Sequence, residues 1–289
     1  KMWILFAFGS AAFAGLTAIL AKMGLKEVDS DLATALRTIV VLVFAWLMAF
    51  LTGGVPNLAA IGGNTYLFLI LSGLATGASW ICYFKALQLG DVNKVAPIDK
   101  SSLLLTMILG VLLLGESLSW GKAGCMVLIA AGTYLMIEKK HSVAAPKGGS
   151  KGWFFYAILS AVFAALTTIL GKLGVEGIDS NLGTALRTVV VLAMAWIIVL
   201  AQGKQRGIPR IDGKSWLFLV FSGVATGLSW LCYYRALQTG EASLVAPIDK
   251  LSLLFTVAFS WIVLKEKLSP KAGIGLFLLT AGTLLLLVV

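Results

Sequence analysis

The stretch SGLATGASWICYFKALQLG at residues 72–90 returns 150 residues later as SGVATGLSWLCYYRALQTG at 222–240. LATALRTIVVL at 32–42 returns at the same distance as LGTALRTVVVL at 182–192, and VAPIDKSSLLLT at 95–106 also has a close copy. Nearly half of the aligned positions are identical. An internal repeat of this length predicts two copies of one structural unit.

Composition places both copies in a membrane. The chain has 289 residues, of which 59% are apolar and 12% charged, with a mean hydropathy of +0.96. Soluble domains carry about 25% charged residues. The net charge of +10 does not indicate nucleic-acid binding, because the basic residues lie in short connections between apolar runs. We therefore expect an all-α membrane protein, since lipid-exposed backbone must satisfy its own hydrogen bonds.

The apolar segments predict ten transmembrane helices in two five-helix repeats. The segments lie near 3–23, 31–52, 65–89, 95–114, 119–137, 153–173, 181–202, 215–239, 245–264 and 269–288. The repeats cover 1–137 and 153–289, joined by a polar, basic linker at 138–152. Because each repeat has an odd number of spans, the second copy starts from the opposite face. Inverted repeats of this kind are common in secondary transporters.

Lysine and arginine are distributed unequally over the predicted connections. The loop 203–214 carries four basic residues, whereas its repeat mate 53–64 carries none. The basic residues on the face of the linker are Lys26, Lys94, Lys139, Lys140, Lys147, Lys151, Lys204, Arg206, Arg210, Lys214, Lys265, Lys267 and Lys271, against Lys1 and Lys122 opposite. Since cytoplasmic loops are enriched in basic residues, we expect a cytoplasmic linker and external termini in a prokaryotic cytoplasmic membrane.

Several short motifs resemble a known family. They are Ala86-Leu87, Val95-Ala96-Pro97-Ile98, Gly115-Glu116 and Ala131-Gly132-Thr133, matched by Val245-Ala246-Pro247-Ile248, Lys265-Glu266 and Ala281-Gly282-Thr283. Together with the five-helix unit they resemble the EamA domain of the drug/metabolite transporter superfamily, and its bacterial/archaeal transporter branch most closely. The resemblance implies a central cavity lined by the first four helices of each repeat, with the fifth helices peripheral. Ten-helix relatives usually keep both termini inside, which departs from the charge distribution here.

Charged residues within spans are costly and therefore mark candidate sites. They are Arg37, Lys85, Asp99 and Lys100 near the linker face, with mates Arg187, Arg235, Asp249 and Lys250 near the opposite face. Two such clusters are what a pair of alternating gates requires. Asp99 either caps a helix that starts near Pro97 or pairs with Arg37 or Lys85 as a gate or proton site. Lys100, Lys22 and Lys172 either face the bundle or extend to the membrane surface.

A polar and aromatic stripe follows the third span of each repeat. It consists of Thr76, Ser79, Trp80 and Tyr83, with mates Thr226, Ser229, Trp230 and Tyr233. The stripe either lines a cavity or packs helices. Gly73 and Gly77 form a GxxxG pattern that favours close helix approach. Glu116 and Glu266, at the ends of the fourth spans, are assigned to the loops or the membrane surface.

The sequence favours transport over catalysis. There is no P-loop, GxSxG or HExxH motif, and the one histidine, His141, lies in the linker. Cys82, Cys125 and Cys232 lack metal-site spacing. We expect no enzyme activity, no cofactor and no metal, and a secondary transporter or exporter of a small polar or amphipathic metabolite, anionic or zwitterionic in preference. The alternative is a non-transporting or lipid-scrambling membrane protein whose intramembrane charges are structural.

Overall fold

The protein is helical throughout the part of the chain that its structure describes. A computed structural model describes residues 2–24, 28–55, 58, 61–89, 95, 98–136, 152–262 and 269–289. The helices of the first repeat are α1 (Met2–Gly24), α2 (Ser30–Leu51), α3 (Gly63–Leu89), α4 (Ser102–Leu114) and α5 (Trp120–Leu135). Those of the second are α6 (Gly152–Val175), α7 (Ser180–Ala201), α8 (Gly213–Thr239), α9 (Ala242–Lys250), α10 (Ser252–Ile262) and α11 (Pro270–Leu285), with a 3₁₀ helix at Lys204–Arg210.

Six of these helices are long and apolar enough to cross a membrane, namely α1, α2, α3, α6, α7 and α8. The fourth span of the second repeat is divided, because a turn at Leu251 separates α9 from α10. Pro247 lies inside α9 and removes one backbone hydrogen bond shortly before that turn. In the first repeat, a turn at Ser101 likewise separates the helical residues 98–100 from α4. Helix length alone therefore does not confirm the count of ten spans.

Aspartate at the same repeat position starts α2 and α7. The Asp29 side chain accepts hydrogen bonds from the backbone N–H groups of Asp31 and Leu32, at 2.9 and 3.3 Å. Asp179 accepts from the N–H of Leu182 at 2.9 Å. A side-chain acceptor at the N-cap satisfies backbone donors that have no partner inside the helix. The connection before each of these helices is therefore closed in the same way in both repeats.

The second helices of the two repeats, α2 and α7, contact each other in an antiparallel arrangement. Lys204, just beyond the end of α7, pairs with Asp29 at the start of α2, at 3.0 Å. At the other end of the pair, Asn181 near the start of α7 donates to Thr52 Oγ1 at 3.2 Å. We call the end of the bundle where α6 begins the linker face, and the end where α1 begins the terminal face. The first contact lies at the linker face and the second at the terminal face.

The first and third helices pair between repeats, so that α3 packs on α6 and α1 packs on α8. Hydroxyl groups join them at matching positions. Ser79 Oγ lies 3.3 Å from Ser160 Oγ, and Ser10 Oγ lies 3.2 Å from Ser229 Oγ. Thr76 and Thr167, and likewise their mates Thr226 and Thr17, are 3.3 Å apart. The GxxxG glycines instead allow α3 to approach α7 closely, and α8 to approach α2. A Cβ on Gly73 would lie 2.7 Å from Val190, and one on Gly223 would lie 2.6 Å from Val40.

The fifth-span helices α5 and α11 pack against each other with their backbones nearly in contact. A Cβ on Gly132 would lie 2.4 Å from the backbone nitrogen of Leu279 and 2.6 Å from the carbonyl oxygen of Gly275. Gly282 faces the backbone of Cys125 in the same way, at 3.2 Å. Because these neighbours are backbone atoms, no side-chain rotation relieves such a clash.

We expect Gly132→Ala to separate α5 from α11 and to destabilise the protein by about 1–3 kcal/mol, the usual cost of overpacking a tight contact. Thermal unfolding of the purified protein in detergent measures the effect. Gly124→Ala is the matched control, since a Cβ there meets no atom within 4 Å. Equal unfolding temperatures for the two variants would contradict the contact.

Candidate functional site

Arg187, eight residues into α7, is packed on all sides. Its Nε donates to Ser72 Oγ at 2.8 Å, and its Nη2 donates to Thr76 Oγ1 at 2.5 Å. The guanidinium carbon lies 5.5 Å from the ring centre of Trp230 and 4.9 Å from that of Tyr234. The residue is 3% exposed. Two acceptors from the other repeat and two aromatic faces thus satisfy a cation deep in the bundle.

Arg37, the repeat mate of Arg187, borders an open cavity. The cavity has a volume of about 240 Å³ and is lined by Asp31, Thr34, Arg37, Trp80, Phe84, Ala195 and Ile198. Within the described residues, the one side-chain hydrogen bond of the Arg37 guanidinium is a long one, from Nη2 to Thr34 Oγ1 at 3.4 Å. Among the described residues, most of its donors therefore have no hydrogen-bond partner.

The two arginines thus show one constellation in two arrangements. We name Ser72, Thr76, Arg187, Trp230 and Tyr234 the closed cluster, and their repeat mates Ser222, Thr226, Arg37, Trp80 and Phe84 the open cluster. In the open cluster no hydrogen bond among the described residues joins the serine or the threonine to the arginine, although Thr226 keeps its contact with Thr17 of α1. Ser222 Oγ donates to the Leu219 carbonyl at 3.1 Å, and Thr226 Oγ1 donates to the Ser222 carbonyl at 2.7 Å. The closed cluster lies toward the terminal face and the open cluster toward the linker face.

Both intramembrane aspartates accept hydrogen bonds from serines of the opposite repeat. Ser10 Oγ donates to Asp249 Oδ1 at 2.7 Å, and Ser160 Oγ donates to Asp99 Oδ1 at 3.1 Å. No ion pair within the described residues joins Asp99 to Arg37 or Lys85. Neither role considered for Asp99 from the sequence, helix cap or salt-bridge partner, predicted a serine. The sequence signal was available, because Ser10 and Ser160 occupy the same repeat position.

The remaining sequence candidates fall into two groups. Tyr83 and Tyr233 lie near enough to the aspartate of their own repeat to interact electrostatically, and Lys100 and Lys250 interact with each other in the same manner. Lys85 and Arg235 are exposed on the outside of α3 and α8, and Arg235 Nη1 donates to Gln238 at 2.6 Å. The structure does not bring Lys85 or Arg235 into the arginine clusters.

Glu116 has a larger role than the sequence indicated. It is 9% exposed, and its carboxylate accepts from the backbone N–H groups of Ala242 and Ser243, the latter at 2.9 Å. It therefore caps the start of α9. Lys172 Nζ lies 3.4 Å from Glu116 Oε1 and also donates to the Gly240 carbonyl, so this lysine contacts its neighbours in the bundle. Glu266 and the side chain of Lys22, the mates of this pair, lie outside the described residues.

Lys204 lies at the linker face, next to a residue that lines the open cavity. Lys204 donates to Asp31, which lines the cavity, and lies 3.0 Å from Asp29 Oδ2. Burial disfavours the charge on Lys204, but its hydrogen bonds to the two carboxylates outweigh that effect and raise the pKa of Lys204. Burial likewise opposes the charge on Asp29, and the Lys204 and backbone hydrogen bonds outweigh it, so the pKa of Asp29 is lowered.

Comparison with family models decides the class of the protein. The model described as the EamA-like transporter family matches residues 1–138 and again 151–288. The chain belongs to this family. It is an EamA-type member of the drug/metabolite transporter superfamily and a multi-pass integral membrane protein.

Individual relatives agree with this assignment. An uncharacterized transporter of Sinorhizobium sp is 48% identical over 139 residues, which are 48% of this chain and 99% of that relative. An uncharacterized transporter of Methanothermobacter thermautotrophicus is 27% identical over 239 residues, covering 79% of this chain and 66% of that one. A solved crystal structure superposes with a TM-score of 0.77 at 17% identity, covering 99% of this chain and 96% of its own, which shows a shared fold.

The family assignment makes this EamA protein a membrane transporter in general terms and suggests a non-enzyme. Among the residues described, no group of three His, Cys, Asp or Glu side chains is arranged to hold a metal ion. What the arginine clusters and aspartates can do is bind an anionic group, exchange hydrogen bonds between repeats and take up a proton. A function proposed for this site therefore has to use these three capacities.

We expect Arg187→Gln to destabilise the protein by about 2–4 kcal/mol, because it removes two charge-assisted hydrogen bonds and two cation–π contacts. Arg37→Gln is the matched control in the open cluster, where little bonding is lost. Thermal unfolding of the two purified variants gives the comparison. Similar losses in both would show that the two arginines are equally engaged, against the geometry described.

Proposed function

We propose that this EamA protein is a secondary transporter of a small metabolite and that it works by alternating access. Its ten spans form two inverted five-helix repeats with the boundaries 1–137 and 153–289. The supporting observation is that one constellation of residues is packed in one repeat and open in the other. A transporter built from inverted repeats exposes its site alternately by exchanging the arrangements of its two halves.

The antiparallel pairing of equivalent helices makes such an exchange physically simple. Ser72 and Thr76 of the first repeat close on Arg187 of the second, and Ser222 and Thr226 of the second repeat can close on Arg37 of the first. The two closed states use equivalent arginine, serine and threonine side chains on equivalent helix pairs. A modest free-energy difference between them is compatible with a reversible two-state carrier.

The open cavity suggests the class of substrate. The guanidinium of Arg37 has donors without short partners among the described residues, and arginine matches the geometry of a carboxylate or phosphate. Trp80, Phe84 and Ile198 provide an apolar wall beside it. An anionic or zwitterionic metabolite with an apolar or aromatic body satisfies both features at once. Such a ligand neutralises a charge that is otherwise costly at this depth.

The two aspartates are proposed as the proton-coupling sites. Asp249 accepts from Ser10 and lies near Ser229, Tyr233 and Lys250, while Asp99 occupies the matching place beside Ser160, Ser79, Tyr83 and Lys100. Each carboxylate receives its serine from the opposite repeat. Movement of the repeats therefore changes the hydrogen bonding of the carboxylate and, with it, the affinity for a proton.

For the lipid-scrambling alternative, the candidate path for lipid headgroups is a lateral groove beside Lys85. The groove has a volume of about 360 Å³ and is lined by Ile81, Phe84, Lys85, Tyr156, Ile197, Ile198, Ala201 and Gln202. Scrambling requires a polar path for headgroups across the whole bilayer. Most of this groove is apolar, so the transport of a solute is the favoured function.

We expect a ligand with a free carboxylate and an aromatic body to raise the unfolding temperature of the purified protein more than its methyl ester or its matched amine. Binding only the folded state stabilises it by RT ln(1 + [L]/Kd). Arg37→Gln removes the preference for the carboxylate. If the amine stabilises best and Arg37→Gln leaves that effect intact, the proposed substrate class is wrong and the basic residues are structural.

We expect the linker face to be cytoplasmic. Ala145 is in the predicted linker, outside the described residues, and Ala145→Cys in a background lacking the native cysteines tests the sidedness of this segment. An impermeant thiol reagent leaves it unlabelled in intact cells and labels it after permeabilisation. Labelling in intact cells would place the linker outside and reverse the orientation.

We expect Asp249→Asn and Asp99→Asn to flatten the pH dependence of ligand exchange in proteoliposomes, because an amide side chain does not titrate near neutral pH. Ser243→Ala is the control, since Ser243 is buried in the same helix as Asp249 and its Oγ has no hydrogen-bond partner among the described residues. A pH profile unchanged in both aspartate variants, with the protein folded, would assign the carboxylates to structure alone.

A further inference from the structure

The closed and open clusters are not chemically equal, although their repeats are so similar. The arginine, serine, threonine and tryptophan positions are identical in both clusters. The fifth position differs by a hydroxyl group, because Tyr234 of the closed cluster corresponds to Phe84 of the open one. The Tyr234 ring lies against Arg187 and close to Ser72, which accepts from Arg187 and donates to the Thr167 carbonyl.

The position that receives Tyr234 also differs between the repeats. Gly171 of α6 lies against the tyrosine, and a Cβ there would come within 2.5 Å of ring Cε1 and 3.1 Å of Ser72 Oγ. Its mate in α1 is Ala21, which carries that Cβ. The alanine therefore occupies the space that an aromatic ring at position 84 needs in order to dock as Tyr234 does.

A second hydroxyl pair is present only beside the closed cluster. Thr168 Oγ1 and Tyr233 OH lie 3.2 Å apart. The corresponding residues of the first repeat are Ala18 and Tyr83, and alanine cannot make this bond. Thr168 and Tyr233 belong to the same repeat, and their bond fixes Tyr233 beside Tyr234, whose ring lies against Arg187. The three differences therefore favour the packed arrangement at the terminal face over its equivalent at the linker face.

We propose that Tyr234, Thr168 and Gly171 are positioning residues that make the terminal-face gate stronger than the linker-face gate, so that the empty protein rests open at Arg37. This proposal rests on the proposed alternating access and adds the resting side and the residues that set it. Tyr234 packs against Arg187 close to Ser72, and Gly171 admits the tyrosine ring. Phe84, Ala18 and Ala21 leave the equivalent gate without these contacts.

Reciprocal exchange of the three positions tests the proposal. Thr168→Ala, Gly171→Ala and Tyr234→Phe give the terminal-face gate the residues of the linker-face gate. Ala18→Thr, Ala21→Gly and Phe84→Tyr do the reverse. Tyr234→Phe alone is the conservative variant, since it keeps the ring and removes one hydroxyl.

The readout is the labelling rate of a matched pair of cysteines in a background lacking the native cysteines. Ala195→Cys lies in the wall of the open cavity, and its mate Ala45→Cys is fully buried. A small membrane-permeant thiol reagent on purified protein reports exposure independently of sidedness. With the native residues at both gates, we expect the thiol at position 195 to be labelled faster than the thiol at position 45.

Either triple exchange is expected to move labelling from position 195 to position 45, changing the ratio of rates by a factor of about three to ten for each hydroxyl bond transferred. Combining the two exchanges shifts the ratio further. An unchanged ratio, or rates that rise together at both positions, overturns the proposal, because the residues then only pack. If ligands still stabilise the protein in that case, the transport function stands without the gate asymmetry.

Discussion

Several buried polar side chains of this bundle find their partners in the opposite repeat. Arg187 donates to Ser72, and both intramembrane aspartates accept from serines of the other half. A membrane interior supplies no water to replace a missing partner. For these groups, the association of the two halves is a requirement of solvation as much as of packing.

The contacts between the repeats differ between the centre and the periphery. The helices at the centre meet through small hydroxyl residues, whose hydrogen bonds can be exchanged for others of similar strength. The peripheral pair α5 and α11 meets instead through glycine, with backbone against backbone at Gly132 and Gly275. Close packing of this sort has no second arrangement of equal quality. In the proposed mechanism, the centre therefore moves while the outer pair stays fixed.

Much of this could be read from the sequence, because membrane spans, repeats and intramembrane charges all have strong local signals. The helical class and the pairing of Arg37 with Arg187 as repeat mates needed no coordinates. The prediction that Lys85 belongs to the site did not account for helix geometry. Phe84 follows Trp80 by four residues and shares its helix face. Lys85, one residue further on, is rotated by about 100° away from that face. The serine partners of the aspartates lie more than 60 and 200 residues away in the chain. Contacts at such separation depend on helix register, which hydropathy does not encode. The division of the fourth spans was missed as well, since the turns at Ser101 and Leu251 contain no glycine.

The linker that joins the repeats has a consequence for what selection can act on. A single repeat that pairs with a copy of itself places the same residue in both gates, so a tyrosine that strengthens one strengthens the other equally. Joining two copies in one chain removes that constraint. Positions 84 and 234 can then diverge independently, as they have here by one oxygen atom. A single chain thus permits what the symmetry of two identical copies forbids, two related sites with unequal side chains.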